Sequence, residues 1–180
     1  MMQQPPTKSE PEPWLRGTLA EVPAEPRAVL HALQLAREDV GFWCSSLTEE
    51  ELRARPHGLP PVGFQLRHIV GSLDRLLSYA EGRPLSDDQK RWMAEEMSGP
   101  MSESMTRAEL FQMFERGLAN AENRIRAIDS KRWPETRAVG RKQLPTTVAG
   151  LLIHCADHTQ RHVGQAVTTA KILVAIRDGA

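Results

Sequence analysis

The chain has 180 residues, with 23 Lys plus Arg against 23 Asp plus Glu, so its formal net charge is zero. That balance argues against a non-specific nucleic-acid binder or a polybasic membrane-surface protein, both of which carry a basic excess. Hydrophobic residues are 40% and charged residues 26%, the composition of a folded domain and not of a disordered chain.

Taken in chain order, residues 1–22 are rich in Pro, Glu, Gln and Lys. They read as a flexible or extended tail, with Trp14 and Leu15 as candidate anchors for its end. The domain is expected over 23–180. An apolar stripe through Ala28, Leu30, Leu33, Leu35, Val40, Phe42, Trp43 and Leu47 predicts a first long helix at about 24–46. Thr48-Glu49-Glu50-Glu51 has the form of a capping box and predicts a short helical turn. Arg55 to Pro61 is a loop by composition.

A second long helix is predicted at about 62–81, on Phe64, His68, Ile69, Leu73, Leu76, Leu77 and Ala80. Gly82-Arg83-Pro84 stops it. Residues 85–105 predict a short helix over 86–97 and a break at Ser98-Gly99-Pro100. Thr106-Arg107-Ala108-Glu109 is a second capping box. It opens a third long helix to about 129, with Leu110, Phe111, Phe114, Leu118, Ala121, Ile125 and Ile128 as its stripe. Residues 130–145 read as an irregular connection, and Thr146 or Thr147 caps a fourth long helix to about 176. The expected fold is all-α. It is a four-helix bundle with a connection between helices two and three long enough to cross its end.

Cys44 and Cys155 are too few for a disulfide framework. No stretch approaches the ~20 apolar residues of a membrane span, and no basic segment followed by an apolar run opens the sequence. A cytoplasmic protein is the expectation, with no nucleic-acid or membrane partner.

The histidines carry the chemistry. His154, His158 and His162 repeat every fourth residue along the fourth helix. Each step of four turns only ~40° around a helix, so all three lie along one face. Two imidazoles one turn apart can share a divalent ion at ~2.0–2.1 Å. A third ligand must come from another helix, and His68 on the stripe of helix two is the best candidate. The plain alternative is a packing or solvent-facing pair. Leu151, Leu152, Cys155, Val163 and Ala166 surround these histidines, however, and unpartnered buried imidazoles are costly.

His158-Thr159-Gln160-Arg161-His162-Val163-Gly164-Gln165 resembles the His-x-x-x-His-x-Gly-Gln signature of the DinB/YfiT-like superfamily. Phe64-Gln65-Leu66-Arg67-His68-Ile69-Val70 resembles that family's helix-two segment. The resemblance covers about residues 24–178 in helix order. It implies a four-helix bundle, a divalent metal on His68, His158 and His162, and a homodimer. It also implies either a thiol-dependent transferase or isomerase, or a metal-dependent hydrolase. Members without an assigned reaction leave a non-enzymatic, metal-ordered binding or stress-response module, or a structural dimer with a vestigial site, as alternatives.

Imidazole suits zinc, nickel, iron and copper; zinc or nickel is the leading expectation, with iron a further option. A low-molecular-weight thiol and a small-molecule ligand are the expected partners. His154, Cys155 and Gln165 are candidates for the pocket wall or for hydrogen bonds to the ligands, and Cys155 is a rival fourth ligand. Gly164 inside a helix suggests close approach of another helix. Asp157 and Asp74 point away from the site face by helical geometry, so no general base stands out. Arg137, Arg141 and Lys142 read as a solvated basic loop with a possible pull on anions. Met93, Met97, Met101 and Met105 read as gap-filling residues.

Overall fold

The computed structural model describes residues 10–98 and 105–179. The tail before residue 10, the break at Gly99-Pro100 and Met101 fall outside this range. The described residues are predominantly α-helical. In chain order they form α1 (Ala24–Cys44), α2 (Glu49–Arg53), α3 (Val62–Ala80), α4 (Asp87–Ser98), α5 (Arg107–Ala127) and α6 (Val148–Arg177). A two-stranded sheet of β1 (Thr136–Val139) and β2 (Leu144–Thr147) precedes α6.

The helix starts follow local chemistry. Thr48 and Thr106 each accept a bond from the backbone N–H three residues on. Glu51 and Glu109 reach back to the threonine N–H, so both capping boxes are complete. Ser86 and Gln89 do the same for α4, at 3.1 and 2.9 Å. Thr147 caps α6 by accepting from Gly150 N–H at 3.0 Å.

The four long helices share one core. α6 packs on α3 and α1, and α5 packs on the same two. Leu30, Leu33, Leu66, Ile69, Leu73, Phe114, Leu118, Ile125 and Leu152 are at most 2% exposed and fill the space between them. At ~25 cal/mol per Å² of apolar surface, this burial is the main favourable contribution to folding. Ion pairs brace the outside. Arg124 of α5 reaches Asp74 of α3 and Glu81 just past its end, at 2.6 and 2.7 Å. Arg37 of α1 reaches Glu115 and Glu122 of α5 at 2.8 and 2.9 Å.

Three expectations change. Residues 130–145 are not an irregular connection, because Thr136 to Val139 pairs antiparallel with Thr147 to Leu144. Strands of four residues give little alternation, and Pro145 is of a type disfavoured inside sheets; in a two-stranded ribbon it costs no interior ladder bond. Trp14 and Leu15 do not anchor the chain, being 62% and 58% exposed. The segment is held instead by the buried Pro13 and by Arg16, which grips the Glu38 carboxylate with two bonds of 2.7 and 2.8 Å. Third, α4 does not merely cross an end; it packs along α3. Gln89 of α4 donates to the Asp74 carboxylate at 2.7 Å and to Ser78 at 2.9 Å.

The hairpin matters for the site because it sets where α6 begins. Val148 N–H donates to Glu135 O and Ala149 N–H to Trp133 O, at 3.0 and 2.9 Å. Arg137, expected in a solvated basic loop, instead donates to Ala80 O at 3.0 Å and to Glu135 at 2.6 Å. It thereby fastens the hairpin to the end of α3. Arg141 and Lys142 are exposed.

Candidate metal centre

The seam between α3 and α6 brings His68, His158 and His162 together. Each offers one ring nitrogen, and the three nitrogens lie within 4.8 Å of one another. The local cause is periodicity. On α6 the core face runs through Cys155, Thr159, Val163 and Ala166, and the two histidines lie beside that face, half-buried. On α3, His68 lies beside Ile69 in the same way. The ring centroids of His162 are 4.4 Å from those of both His68 and His158. Phe64, one turn before His68, stacks on its ring at 5.6 Å.

The closest pair is His68 Nε2 and His158 Nε2, 3.1 Å apart. Two imidazole nitrogens sharing an ion at 2.1 Å, with an angle of 90–109° between the bonds, lie about 3.0–3.4 Å apart. The other ring nitrogens fix the tautomers. His162 Nδ1–H donates to Gln65 Oε1 at 2.6 Å, which turns its Nε2 lone pair toward the cluster. Gln65 is fully buried and donates in turn to Gln165 Oε1 at 2.8 Å. His68 Nδ1 faces Glu96 Oε2 at 3.4 Å, so its Nε2 also presents a lone pair inward.

This leaves His158. If its Nε2 carries a proton for His68, its Nδ1 is a bare acceptor, buried and without a partner. If it does not, two lone pairs face each other across 3.1 Å. A cation between them removes the repulsion and uses the lone pairs, so this donor set fits a divalent metal. Ser72 Oγ lies 3.3 Å from both Nε2 atoms and adds a hydroxyl to the same space.

The titration of the cluster suits ligation. Burial, and after it the charge of His68, lowers the pKa of both His158 and His162 to about 4. At neutral pH both rings are therefore neutral, with no proton to displace. Burial alone would raise the Glu96 carboxyl, but its bond to His68 and the Arg75 charge outweigh this and hold it below the usual range.

The other sequence candidates lie elsewhere. His154 is 45% exposed and bonds Asp157 at 2.7 Å, outside the triad. Its ring is 5.2 Å from that of His158. Cys155 is fully buried in the core, and burial pushes its thiol up to about 12, which suits packing and not ligation. Gln165 reaches the centre only through Gln65. Gly164 is exposed and has no atom within 4 Å of where a Cβ would stand, so the expected close helix approach is absent; the position lies on the outer side of α6. Asp157 is held by His154 and Arg161, and Asp74 by Arg124 and Gln89; neither is a base for the centre. Met93 is 40% exposed, and Met105 accepts from Arg67 at its sulfur.

Gln65, Ser72 and Glu96 were not foreseen. The first two had a signal, since they lie three before and four after His68, on its own face of α3. Glu96 had none, because it comes from α4.

The profile of the DinB superfamily matches residues 32–166, a span that contains all three histidines. The chain belongs to this superfamily. Among curated proteins none matches it. No helix among the described residues is long and apolar enough to cross a membrane.

Proposed function

We propose that this DinB-superfamily chain is a metal-dependent protein, a four-helix bundle over residues 23–180 that holds one divalent ion on His68, His158 and His162. The observation that carries the reading is the inward convergence of three imidazole nitrogens. Zinc or nickel is the leading metal, with iron next. Three protein ligands leave a coordination position for a substrate or thiol, the arrangement of catalytic and not of closed structural sites.

Bound there, such an ion lowers the pKa of a coordinated thiol or water and polarises a carbonyl. The chain's own groups do the positioning. Gln65 holds the His162 tautomer, Phe64 holds the plane of His68, and Ser72 offers a hydroxyl toward the open side. The reaction class we favour is thiol-dependent S-transfer or isomerisation on a small molecule, ahead of hydrolysis. The reason is the occupation of the nearby carboxylates: Glu96 is tied to Arg75 and His68, and Asp74 and Asp157 to other partners. No carboxylate among these three is left to activate water. A homodimer is part of the same proposal.

Cobalt substitution tests the reading. A cobalt-loaded protein should show visible bands that shift, with a new thiolate-to-metal absorption, on adding a low-molecular-weight thiol. Loading without any thiol response would instead support the metal-ordered binding module. Failure to load would leave a structural bundle.

A further inference from the structure

α4 looks at first like a peripheral connection. Most of its described residues are exposed. One of its carboxylates is nevertheless among the least accessible acidic groups near the seam. The Glu96 side chain is only 5% exposed. Its Oε2 lies 3.0 Å from Arg75 Nη2 and 3.4 Å from His68 Nδ1. Arg75 is itself buried and also donates to Ser72 at 3.3 Å, so one guanidinium touches two residues that face the histidine cluster.

The seat for this carboxylate is shaped in α3. A Cβ placed on Gly71 would stand 2.3 Å from Glu96 Oε1, and 2.9 Å from both Arg75 Nη1 and Trp92 Nε1. Real Cβ atoms do not approach so closely, so glycine at 71 makes the slot into which the α4 side chains dock. Arg67 lies over the Trp92 ring at 5.6 Å and closes the slot from the other side. A cavity of about 410 Å³ adjoins the slot between α3, α4 and α5; Gly71, Arg75 and Trp92 are in its wall, and no histidine is.

We infer that Glu96 is a positioning residue for the metal centre, through which metal loading is coupled to the docking of α4 in the Gly71 slot. The inference rests on the three-histidine metal reading above. An imidazole that gives its Nε2 lone pair to a cation becomes a stronger Nδ1–H donor, and a carboxylate on that hydrogen makes it a better ligand in return. The contact of 3.4 Å is at the outer limit of a hydrogen bond, so the pair has room to tighten when the donor strengthens. By reciprocity, whatever seats Glu96 raises metal affinity, and metal raises the population of seated α4.

The test is a zinc titration against a chromophoric chelator at neutral pH. It compares wild type, Glu96→Ala, Glu96→Gln, Gly71→Ala and, as a control on the exposed side of α4, Lys90→Ala. Hydrogen exchange of residues 87–98 is followed with and without zinc. Glu96→Ala and Gly71→Ala should each weaken zinc about 10–100-fold, the usual cost of losing a partner of a histidine ligand. Glu96→Gln keeps an acceptor without the charge and should fall between Glu96→Ala and wild type, which loss of mere packing would not produce. Lys90→Ala should bind as wild type. Zinc should slow exchange in α4 of wild type and not of Glu96→Ala.

Wild-type zinc affinity in both Glu96 variants, or α4 exchange that zinc leaves unchanged in wild type, would overturn the coupling and leave the metal centre standing. A wild type that takes up no zinc would sink both.

Discussion

The Gln65→Leu substitution probes how the centre is organised. Leu keeps most of the buried volume but removes the acceptor of the His162 Nδ1–H bond of 2.6 Å and the donor to Gln165. The released Nδ1–H of the half-buried His162 then faces the apolar side chain that fills the fully buried position 65. Leaving a buried polar group unpaired costs about 1–3 kcal/mol of stability. The ligand ring also loses the bond that selects its tautomer and plane, a change that typically costs 10–100-fold in metal affinity, or about 1.4–2.8 kcal/mol. Gln165→Ala removes only the outer member of the chain, at an exposed position, and should change affinity less than threefold, about 0.6 kcal/mol. The assay is competition for zinc against a chelator of known affinity, with urea unfolding of the metal-free proteins in parallel. Gln65→Leu protein that is folded and binds zinc within twofold of wild type would refute the argument that Gln65 sets the His162 tautomer.

Other outcomes follow from the same geometry. Gly117→Ala would put a Cβ 2.6 Å from both Val70 methyl carbons, so overpacking of about 1–3 kcal/mol should outweigh the helix-propensity gain of about 1 kcal/mol. Gly164→Ala meets nothing within 4 Å and should gain stability by up to about 1 kcal/mol, read beside Gly117→Ala in thermal melts; a loss would show that this face is covered in solution. The metal-free protein should lose stability as pH falls from about 6.5 toward 4. In that window the unfolded chain binds protons at His158 and His162 that the fold, with both pKa values near 4, does not. Urea midpoints between pH 7 and 4.5 should show this slope, and replacing both histidines with Asn should flatten it. Arg124→Met should cost about 1–3 kcal/mol in urea unfolding, because Asp74 of α3 and Glu81 at its end lose the partner that ties them to α5.

The long helices could be read from the sequence because their apolar stripes are long, and several helix starts are also chemically marked. Thr48 and Thr106 each announce a helix three residues before a glutamate, and both boxes form. The histidines were legible for a related reason: a four-residue spacing becomes a shared face on any helix. What could not be read depends on contacts between distant segments. Glu96 reaches His68 only because Gly71 opens α3 beneath it and Gln89 bonds Asp74 and Ser78. Trp14 looked like an anchor by size, yet Arg16 holds the segment, because Glu38 stands within reach on α1. Gly164 looked like a packing residue because glycine is poor in helices, but its position on the outer side of α6 has nothing to pack against. The hairpin failed for a local reason, since Pro145 in a four-residue strand carries a signal against the structure it joins.

The most direct test of the three-histidine centre is elemental analysis of the purified wild type beside His158→Ala, after exposure to zinc or nickel and removal of loose metal. The account predicts one divalent ion per chain in the wild type. It predicts loss of tightly held metal in the variant, whose remaining two histidines lack the nitrogen that stands 3.1 Å from His68 Nε2. Equal metal content in the two proteins, or none in either, would contradict it.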